Sequence, residues 1–271
     1  MSNEKMHIES NTVQETLVIP LWGRKYCSEI YPEIYQDQTA KKIMAKKNNT
    51  MFCFGYLEAA ARYTDLGTEI RAYVKSHPAA AIVNLGCGLD CTAENNAGDA
   101  CKIYNIDRPD VIEVRNKLIP PAANTTNIGS DLNDTKWFEE IDDSNGVIFF
   151  AAGVFYYFLS DEVKKLFTAM AKRFPGGRLV FDTANKSAVK MMLKTWVKTA
   201  GITDISKYFY VNDLSTDLQV WLPDTKVSAK GYMLGYHDLK IPSVSGFFRL
   251  LAKIGDGFMK MRIVRIDFNK N

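Results

Sequence analysis

Long apolar runs and blocks of one charge are both scarce in this 271-residue sequence. The longest apolar stretches, such as residues 147–152, are far too short to cross a bilayer. Residues 1–10 are polar, so no secretory signal is expected. No basic run is longer than a pair such as Lys46-Lys47, and the net charge is +3, which argues against nucleic acid as the main partner. We therefore expect a cytoplasmic protein that binds neither membrane nor nucleic acid.

Cysteine and histidine are also scarce, with five and three residues. An odd number of cysteines in a chain of this length is typical of a reducing cytosol. Cys87 and Cys91 lie close together, but no histidine is near them to complete a tetrahedral metal site, so we predict buried thiols and no metal. His7 lies in the polar N-terminal segment and His77 precedes a proline. Only His237 is therefore expected near a functional site.

Apolar patterning changes character near residue 76. The first 75 residues show helical spacing, which Pro20 and Pro32 are expected to interrupt. Beyond them, short apolar runs without alternation take turns with helical segments, which is typical of parallel strands buried on both faces. We therefore predict a helical N-terminal extension over residues 1–75 and an α/β core over residues 76–271. The predicted strands are 79–85, 102–106, 124–128, 146–151 and 177–181, and the predicted crossover helices include 109–118 and 160–174, the latter capped by Ser160.

The C-terminal part does not follow this alternation. Residues 226–236 and 258–268 predict two longer strands, the second because Met259, Met261 and Ile263 alternate with charged residues. A hairpin or an antiparallel edge of the sheet would account for both. Residues 190–224 are aromatic and mixed in pattern, and the sequence assigns them no element.

A glycine turn, Asn84-Leu85-Gly86-Cys87-Gly88, follows the first predicted strand. Glycines there allow a tight turn and let a ligand touch bare backbone, although a lone turn of this kind is also compatible with no ligand. Asp107 follows the second strand, about where an acid accepts hydrogen bonds from a ribose, and Asp131 follows the third. Either acid taken alone also fits a solvated surface residue. Three such features at three consecutive strand ends indicate a nucleotide site.

The residues after the turn discriminate between nucleotides. Leu89 and Asp90 follow Gly88, so the third glycine of the dinucleotide fingerprint is missing, and an acid there would repel a pyrophosphate. A cofactor with an amino group and no phosphate, such as S-adenosylmethionine, fits better than NAD. An NAD(P)-dependent oxidoreductase on the same sheet is the alternative that this argument leaves open.

Six stretches of the sequence occur in the same order in one known family. They are residues 13–17, 20–24, 83–90, 107–113, 151–158 and 173–177. On these stretches the sequence resembles the leucine carboxyl methyltransferase family, and most closely its branch of tetracenomycin-type polyketide O-methyltransferases. The resemblance implies an α/β, Rossmann-like class I methyltransferase sheet with a helical N-terminal lid, and S-adenosylmethionine as the cofactor. The sheet is expected to be mostly parallel with an antiparallel C-terminal edge.

The resemblance also implies roles for individual residues. Asp107 is expected to hold the ribose hydroxyls, Arg62 to bind the cofactor carboxylate, which an arginine fork suits, and Arg24 to be a basic residue of the lid. Without the resemblance, Arg62 also fits a helix-surface pair with Asp65. The other implied cofactor-binding residues are Gly86 and Gly88 on the methionine side, Asp131 and Leu132 beside the adenine, and Cys87, Arg108, Ala151, Ala152 and Gly153.

Two positions depart from the family pattern. Ala152 stands where the family often has an acid, and Cys91 begins a run that replaces the family's Thr-Arg. The first change removes a polar contact near the cofactor. These departures keep open a third reading, a non-catalytic homologue that binds cofactor or partner without turnover.

The sequence offers few candidates for a catalytic acid or base, and this limits the reactions that we expect. Methyl transfer depends largely on alignment and on exclusion of water, and a base is needed only when the acceptor is protonated. We expect O-methylation of a carboxylate or acidic hydroxyl of a small acceptor, mainly by proximity, with Tyr157 and His237 as the catalytic candidates. A protein C-terminal carboxyl group is the alternative acceptor. Aromatic residues that would line an acceptor pocket, or else belong to the core, are Tyr156, Tyr157, Tyr208, Tyr210, Trp196 and Trp221.

Overall fold

A seven-stranded mixed sheet forms the centre of the protein. The structure is a computed structural model that describes residues 13–43, 53–196 and 208–269. The strands are β1 (Ala81–Leu85), β2 (Lys102–Asp107), β3 (Thr125–Gly129), β4 (Val147–Ala151), β5 (Arg178–Thr183), β6 (Thr225–Gly231) and β7 (Arg262–Phe268). Their order is β3-β2-β1-β4-β5-β7-β6. Strands β1 to β5 are parallel, and β7 is antiparallel to both of its neighbours. The predicted mostly parallel sheet with an antiparallel C-terminal edge is confirmed.

Helices cover both faces of this sheet. They are α1 (Val13–Ile30), α2 (Gln38–Ile43), α3 (Cys53–Val74), α4 (Thr92–Asn96), α5 (Pro109–Leu118), α6 (Ser160–Arg173), α7 (Lys186–Trp196) and α8 (Gly246–Gly257). Short 3₁₀ helices at Thr135–Glu140 and Phe155–Tyr157 and a π-helical turn at Ser215–Gln219 complete the described elements.

Strand β4 shows why the predicted strands read as unbroken apolar runs. Ile148 and Phe150 face the core that includes the N-terminal helices, while Phe149 and Ala151 face a second core that includes α6. All four side chains are fully buried. A strand between two layers of helices needs apolar residues at every position, which is the continuous pattern seen in the sequence.

The described part of residues 1–75 is helical, as predicted. Helix α1 packs against α3, and α3 lies across β4, β5 and β7. Leu57, Leu66 and Ile70 of α3 are fully buried in this contact. Pro20 was expected to interrupt a segment, and that expectation is wrong, because α1 continues through it. Pro32, in contrast, lies just beyond the end of α1.

The C-terminal part corrects two predicted strand boundaries. Strand β6 ends at Gly231 and not at residue 236, and β7 begins at Arg262, because Lys260 adopts a left-handed φ of 51° that ends the extended pattern before it. The two strands pair as an antiparallel edge but are not a simple hairpin, since α8 lies between them. Sequence patterning missed α8 altogether.

Helix α6 begins at Ser160, so Leu159 and not Ser160 is the capping position. The carboxylate of Glu162 accepts the backbone N–H of Leu159 at 2.8 Å, which is the contact that the third helical residue makes in a capping box. Of the unassigned stretch 190–224, the first part extends α7, and residues 197–207 lie outside the described residues. Among the helices that the structure describes, none is both long and apolar enough to cross a membrane.

Candidate functional site

The carboxyl ends of the parallel strands bring the predicted site residues to one edge of the sheet. The glycine turn follows β1, Asp107 ends β2, and residues 151–153 follow β4. Strand β5 adds Asp182, which the sequence prediction missed because it ended that strand at residue 181. Open α/β sheets bind ligands at this edge. The residues that the resemblance implied separately therefore share one rim.

The glycine turn requires glycine at two positions. Gly86 has a φ of +63° and Gly88 a φ of +47°, a region that other residues rarely adopt. A Cβ added at Gly86 would also lie 2.7 Å from a methyl group of Val154. Between them, buried Cys87 donates its backbone N–H to the carbonyl of Ile106 at 3.1 Å, which fastens the turn to β2.

Asp107 reaches back across the sheet edge to this turn. Its Oδ2 accepts the backbone N–H of Gly88 and its Oδ1 accepts the backbone N–H of Arg108, both at 2.8 Å. Burial raises the pKa of the Asp107 carboxyl, while these two donors act in the opposite direction. A carboxylate oxygen can accept more than one hydrogen bond, so both oxygens retain capacity for ribose hydroxyls. Arg108 itself is directed to Asp110 at 3.0 Å on the surface.

The end of β3 joins the same edge. Ser130 donates its backbone N–H to the carbonyl of Asp107 at 2.8 Å, which places the next residues beside the β2 end. Asp131 is exposed, and its Oδ1 accepts the N–H of Asn133 at 2.9 Å. Leu132 is buried, and its carbonyl accepts the Nε1–H of Trp137 at 3.3 Å. An apolar side chain and a solvated carboxylate therefore stand next to each other, beside Asp107.

An arginine that the sequence analysis did not identify donates hydrogen bonds to the backbone of the glycine turn. Arg115 of α5 is fully buried, and its Nη1 donates to the carbonyls of Gly88 and Asp90 at 2.9 and 2.7 Å. Its Nη2 pairs with Glu94 of α4 at 2.7 Å. The position reads as an ordinary helix-surface arginine in the sequence, and only the tertiary structure shows that it is buried.

Asp90 has a different role from the one the sequence suggested. Its carboxylate is buried, and Oδ1 accepts both the backbone N–H and the hydroxyl of Thr92 at 2.6 Å. It therefore closes a local turn at Thr92, the first residue of α4, and does not present that oxygen to a ligand. The preference against pyrophosphate now depends on the missing third glycine alone.

Arg24 contacts the turn from the N-terminal helices. It is buried, pairs through Nε with Asp37 at 2.8 Å, and donates from Nη2 to the carbonyl of Leu89 at 3.3 Å. Its guanidinium also stacks over the ring of Tyr63 at 5.2 Å. Arg24 thus connects α1 to the residue that follows Gly88.

Arg62 of α3 faces the ends of β4 and β5. Its Nη1 donates to Asp182 Oδ2 at 2.9 Å, and Asp182 Oδ1 accepts the backbone N–H of Gly153 at 2.6 Å. The alternative helix-surface pair of Arg62 with Asp65 is wrong, because Asp65 bonds to His237 instead. Within the described residues Arg62 makes no other hydrogen bond, which leaves N–H groups for a ligand carboxylate.

Glu58 lies one helical turn before Arg62 on α3 and was also missed. It is partly buried, and burial raises the pKa of its carboxyl to about 7, with Arg62 acting in the opposite direction. Glu58 has no hydrogen-bond or ion-pair partner among the residues described. A glutamate in a helix is usually exposed, and the sequence does not show whether its face of the helix is buried.

The aromatic residues of the predicted pocket are divided between two clusters. Tyr156, which is buried, packs with residues of α7, and Tyr208 and Tyr210 lie against the same cluster. Trp221 belongs instead to the core on the α6 side, where it contacts Phe209, which is the second of the two placements expected for these residues. The side chain of Trp196 is outside the described part of the chain, as is His7.

The two catalytic candidates differ in location. Tyr157 is half exposed on the 3₁₀ helix after β4, where Arg62 and Asp182 are its charged neighbours. Partial burial raises the pKa of its hydroxyl, so it stays protonated at neutral pH. His237 belongs to the segment that follows β6 and packs against the N-terminal helices. Its Nε2 lies 2.5 Å from Asp65 Oδ1, and its ring lies against that of Tyr35. Its hydrogen bond to Asp65 and its ring contact with Tyr35 therefore lead to α3 and to the segment after α1.

This edge of the sheet suits a nucleoside with an amino-acid end. A carboxylate ends β2, an arginine with unused donors lies over β4 and β5, and a turn of bare backbone lies between them. The carboxylate suits ribose hydroxyls, the arginine suits a ligand carboxylate, and the glycine turn allows a ligand to approach the backbone closely. Cys87 and Cys91 are buried thiols beside this turn, as predicted.

Comparisons with known proteins agree with this geometry. Residues 29–171, more than half of the chain, match the family model described as leucine carboxyl methyltransferase. The tetracenomycin polyketide synthesis O-methyltransferase TcmP of Streptomyces glaucescens is 24% identical over 179 residues. That match covers 63% of this chain and 65% of TcmP, so the chain spans just under two thirds of that relative.

Solved structures show the same fold. A protein of Thermobifida fusca YX with a provisional methyltransferase assignment has a TM-score of 0.61 at 14% identity, over 92% of this chain and 94% of its own. The plantazolicin methyltransferase BamL, solved with a triazolic desmethylPZN analog and SAH, has a TM-score of 0.54 at 12% identity. This second match covers 96% of this chain and all of BamL.

Proposed function

The chain belongs to the leucine carboxyl methyltransferase family, and on that premise we propose that it transfers a methyl group from S-adenosylmethionine to a small acceptor. The observation that carries the proposal is the shared rim of Asp107, the glycine turn and Arg62. The acceptor atom is an oxygen, of a carboxylate or of an acidic hydroxyl. The name of TcmP, a polyketide synthesis O-methyltransferase, supports a polyketide-like acceptor, and we propose that this acceptor is aromatic.

The residues at the ends of β2 and β3 would hold the adenosine of the cofactor. Asp107 holds the ribose hydroxyls, because its oxygens are fixed by backbone donors and can accept further bonds. Leu132 and Asp131 flank the adenine with one apolar and one polar group. The remaining residues of the proposed site are Arg24, Gly86, Cys87, Gly88, Arg108, Ala151, Ala152 and Gly153.

The methionine end lies toward β4 and β5. Arg62 binds the carboxylate, because its remaining N–H groups are the donors that a carboxylate matches best. The glycine turn lets the ligand approach the backbone of β1 closely. The described helices α1 and α3 act as a lid over this end, with Arg24 connecting the lid to the turn.

The cofactor supplies a methyl group already activated by its sulfonium. The residues of this chain therefore align the acceptor and exclude water, without needing to activate the donor. A carboxylate acceptor needs no base. A hydroxyl acceptor would benefit from one, and Glu58, one helical turn before Arg62 on α3 and with a carboxyl pKa raised to about 7 by burial, is the candidate. We place the reaction in the cytoplasm, where the buried thiols stay reduced.

A transfer assay with radiolabelled S-adenosylmethionine tests this function. The acceptor panel contains aromatic carboxylic acids, phenols, hydroxylated aromatic acids and a peptide with a free C-terminal leucine. We expect label in a base-labile ester or in an ether of a small aromatic acceptor. Label on the peptide would favour the protein-carboxyl alternative, and cofactor binding without turnover would favour the non-catalytic homologue. Binding of NADH without any binding of S-adenosylmethionine would contradict the proposal.

A further inference from the structure

Asp182 connects two parts of the rim that the sequence did not relate. Its Oδ2 accepts from Arg62 at 2.9 Å and its Oδ1 accepts from the backbone of Gly153 at 2.6 Å. The Asp182 side chain is 1% exposed and that of Arg62 is 20% exposed. A charge-assisted bond in such a nearly dry setting is short and directional. Asp182 therefore determines where the Arg62 guanidinium points.

The position of Asp182 in the sheet makes this contact specific to the ligand edge. The last register pair of β4 and β5 is Ala151 with Phe181, so Ala152 and Asp182 follow side by side. Position 152 is where the family resemblance places an acid, and here it is alanine. The acid at this edge of the sheet is Asp182, which belongs to the neighbouring strand β5.

Gly153 restricts Arg62 from the other side. It has a φ of +71°, and a Cβ built there would lie 2.9 Å from Arg62 Nη1 and 3.2 Å from its Cζ. The guanidinium is thus packed against bare backbone on one side and bonded to Asp182 at the same nitrogen. Its Nη2 and Nε have no hydrogen-bond partner in the described part of the chain.

We propose that Asp182 is a positioning residue for the amino-acid end of S-adenosylmethionine, acting through Arg62. By holding Nη1, it directs the rest of the guanidinium fork toward the ligand carboxylate. The inference rests on the proposed function, because it requires that cofactor. It predicts that losing Asp182 harms recognition of the amino-acid end only.

Calorimetric titration with two ligands tests this prediction without any turnover. S-Adenosylhomocysteine carries the amino-acid end, whereas 5′-methylthioadenosine has the adenosine and sulfur without it. For Asp182→Asn we expect at least a tenfold loss of affinity for S-adenosylhomocysteine and a change within twofold for 5′-methylthioadenosine. Asp267→Asn is the matched control, since Asp267 pairs with Arg178 at the opposite end of β5, and we expect no effect on either ligand. Equal losses for both ligands, or no loss, would overturn the inference.

A double-mutant cycle shows whether Asp182 acts through Arg62. In an Arg62→Ala background, Asp182→Asn should cost less than a further twofold in S-adenosylhomocysteine affinity. Gly153→Ala displaces Arg62 without removing a charge, so it should reproduce the selective loss and serves if Asp182→Asn does not fold. Additive effects, or a Gly153→Ala variant with normal affinity, would count against the inference. If the wild-type protein binds neither ligand, the proposed function fails first and the inference with it.

Discussion

The carboxylate of Asp107, at the end of β2, accepts the backbone N–H of Gly88 in the turn after β1 at 2.8 Å. One side chain thus connects two neighbouring strand ends and fixes the turn that the proposed cofactor would contact. Burial raises the pKa of this carboxyl, and the two backbone donors that it accepts from counter that effect. Removing the side chain would therefore affect both the ribose contact and the shape of the turn.

The first prediction concerns Asp107. Asp107→Ala should weaken binding of S-adenosylhomocysteine at least tenfold, because hydrogen bonds to a charged acceptor are worth about 1.5–3 kcal/mol each. Isothermal titration calorimetry measures this directly. Asp110→Ala, which removes an exposed carboxylate three residues away, is the control and should bind normally. An unchanged affinity for Asp107→Ala would refute the ribose assignment.

The second prediction concerns the glycine turn. Gly86→Ala should lower the free energy of unfolding by about 1–3 kcal/mol, because alanine is strained at a φ of +63° and its Cβ would meet Val154 at 2.7 Å. The same strain should weaken cofactor binding. Gly98→Ala is the control, since its nearest neighbour would be 3.6 Å away. Denaturant unfolding of both variants checks this, and equal stabilities would contradict it.

The third prediction concerns Glu58 and pH. Its folded-state pKa of about 7 exceeds the unfolded value of 4.5, so the folded protein binds the proton more tightly. The free energy of unfolding should therefore fall as pH rises from about 4.5 to 7, by at most about 3 kcal/mol, and less where water reaches the carboxyl. Glu58→Gln should remove this dependence and be the more stable protein above pH 7.

Denaturant melts across that pH range, with Glu140→Gln as an exposed control, provide the measurement. A Glu58→Gln variant whose pH dependence of stability matches that of the wild type would show that Glu58 is not desolvated.

The fourth prediction concerns His237. His237→Ala should destabilise the fold by about 1–3 kcal/mol, because buried Asp65 loses its partner. Burial lowers the pKa of His237, and within the described residues its side chain contacts Asp65 and Tyr35 and not Arg62 or Asp107. The pH–rate profile of methyl transfer should therefore not change. His77→Ala, which removes a histidine stacked on Tyr73, is the control for a structural loss. An essential ionisation near 6.5 that disappears in His237→Ala would make His237 the base.

Local patterning predicted the centre of the fold and half of the rim. The strands from 79 to 181 were readable because β1, β4 and β5 are buried on both faces, and a glycine turn with acids at successive strand ends follows from that topology. Arg62 and Arg24 entered through family resemblance. Asp182 lies 120 residues from Arg62, and Asp37 lies 13 residues from Arg24 and beyond the end of α1, so no helical spacing shows either pair.

The errors have the same physical origin. Helix α8 lies between the two predicted C-terminal strands, in residues to which the sequence analysis assigned no element. The strand predicted from residue 258 begins later, because Lys260 has a left-handed backbone. Arg115 and Glu58 look like surface residues in their helices, and only packing against the sheet makes one buried and the other desolvated. Whether such a residue is buried depends on its tertiary contacts, and a single sequence does not show those contacts.

A crystal structure of the protein with S-adenosylhomocysteine tests the central claim most directly. The account predicts density along the rim, with ribose hydroxyls within hydrogen-bond distance of Asp107 and the ligand carboxylate on Arg62 beside Asp182. Density at another edge of the sheet, or a bound ligand whose carboxylate does not touch Arg62, would contradict it.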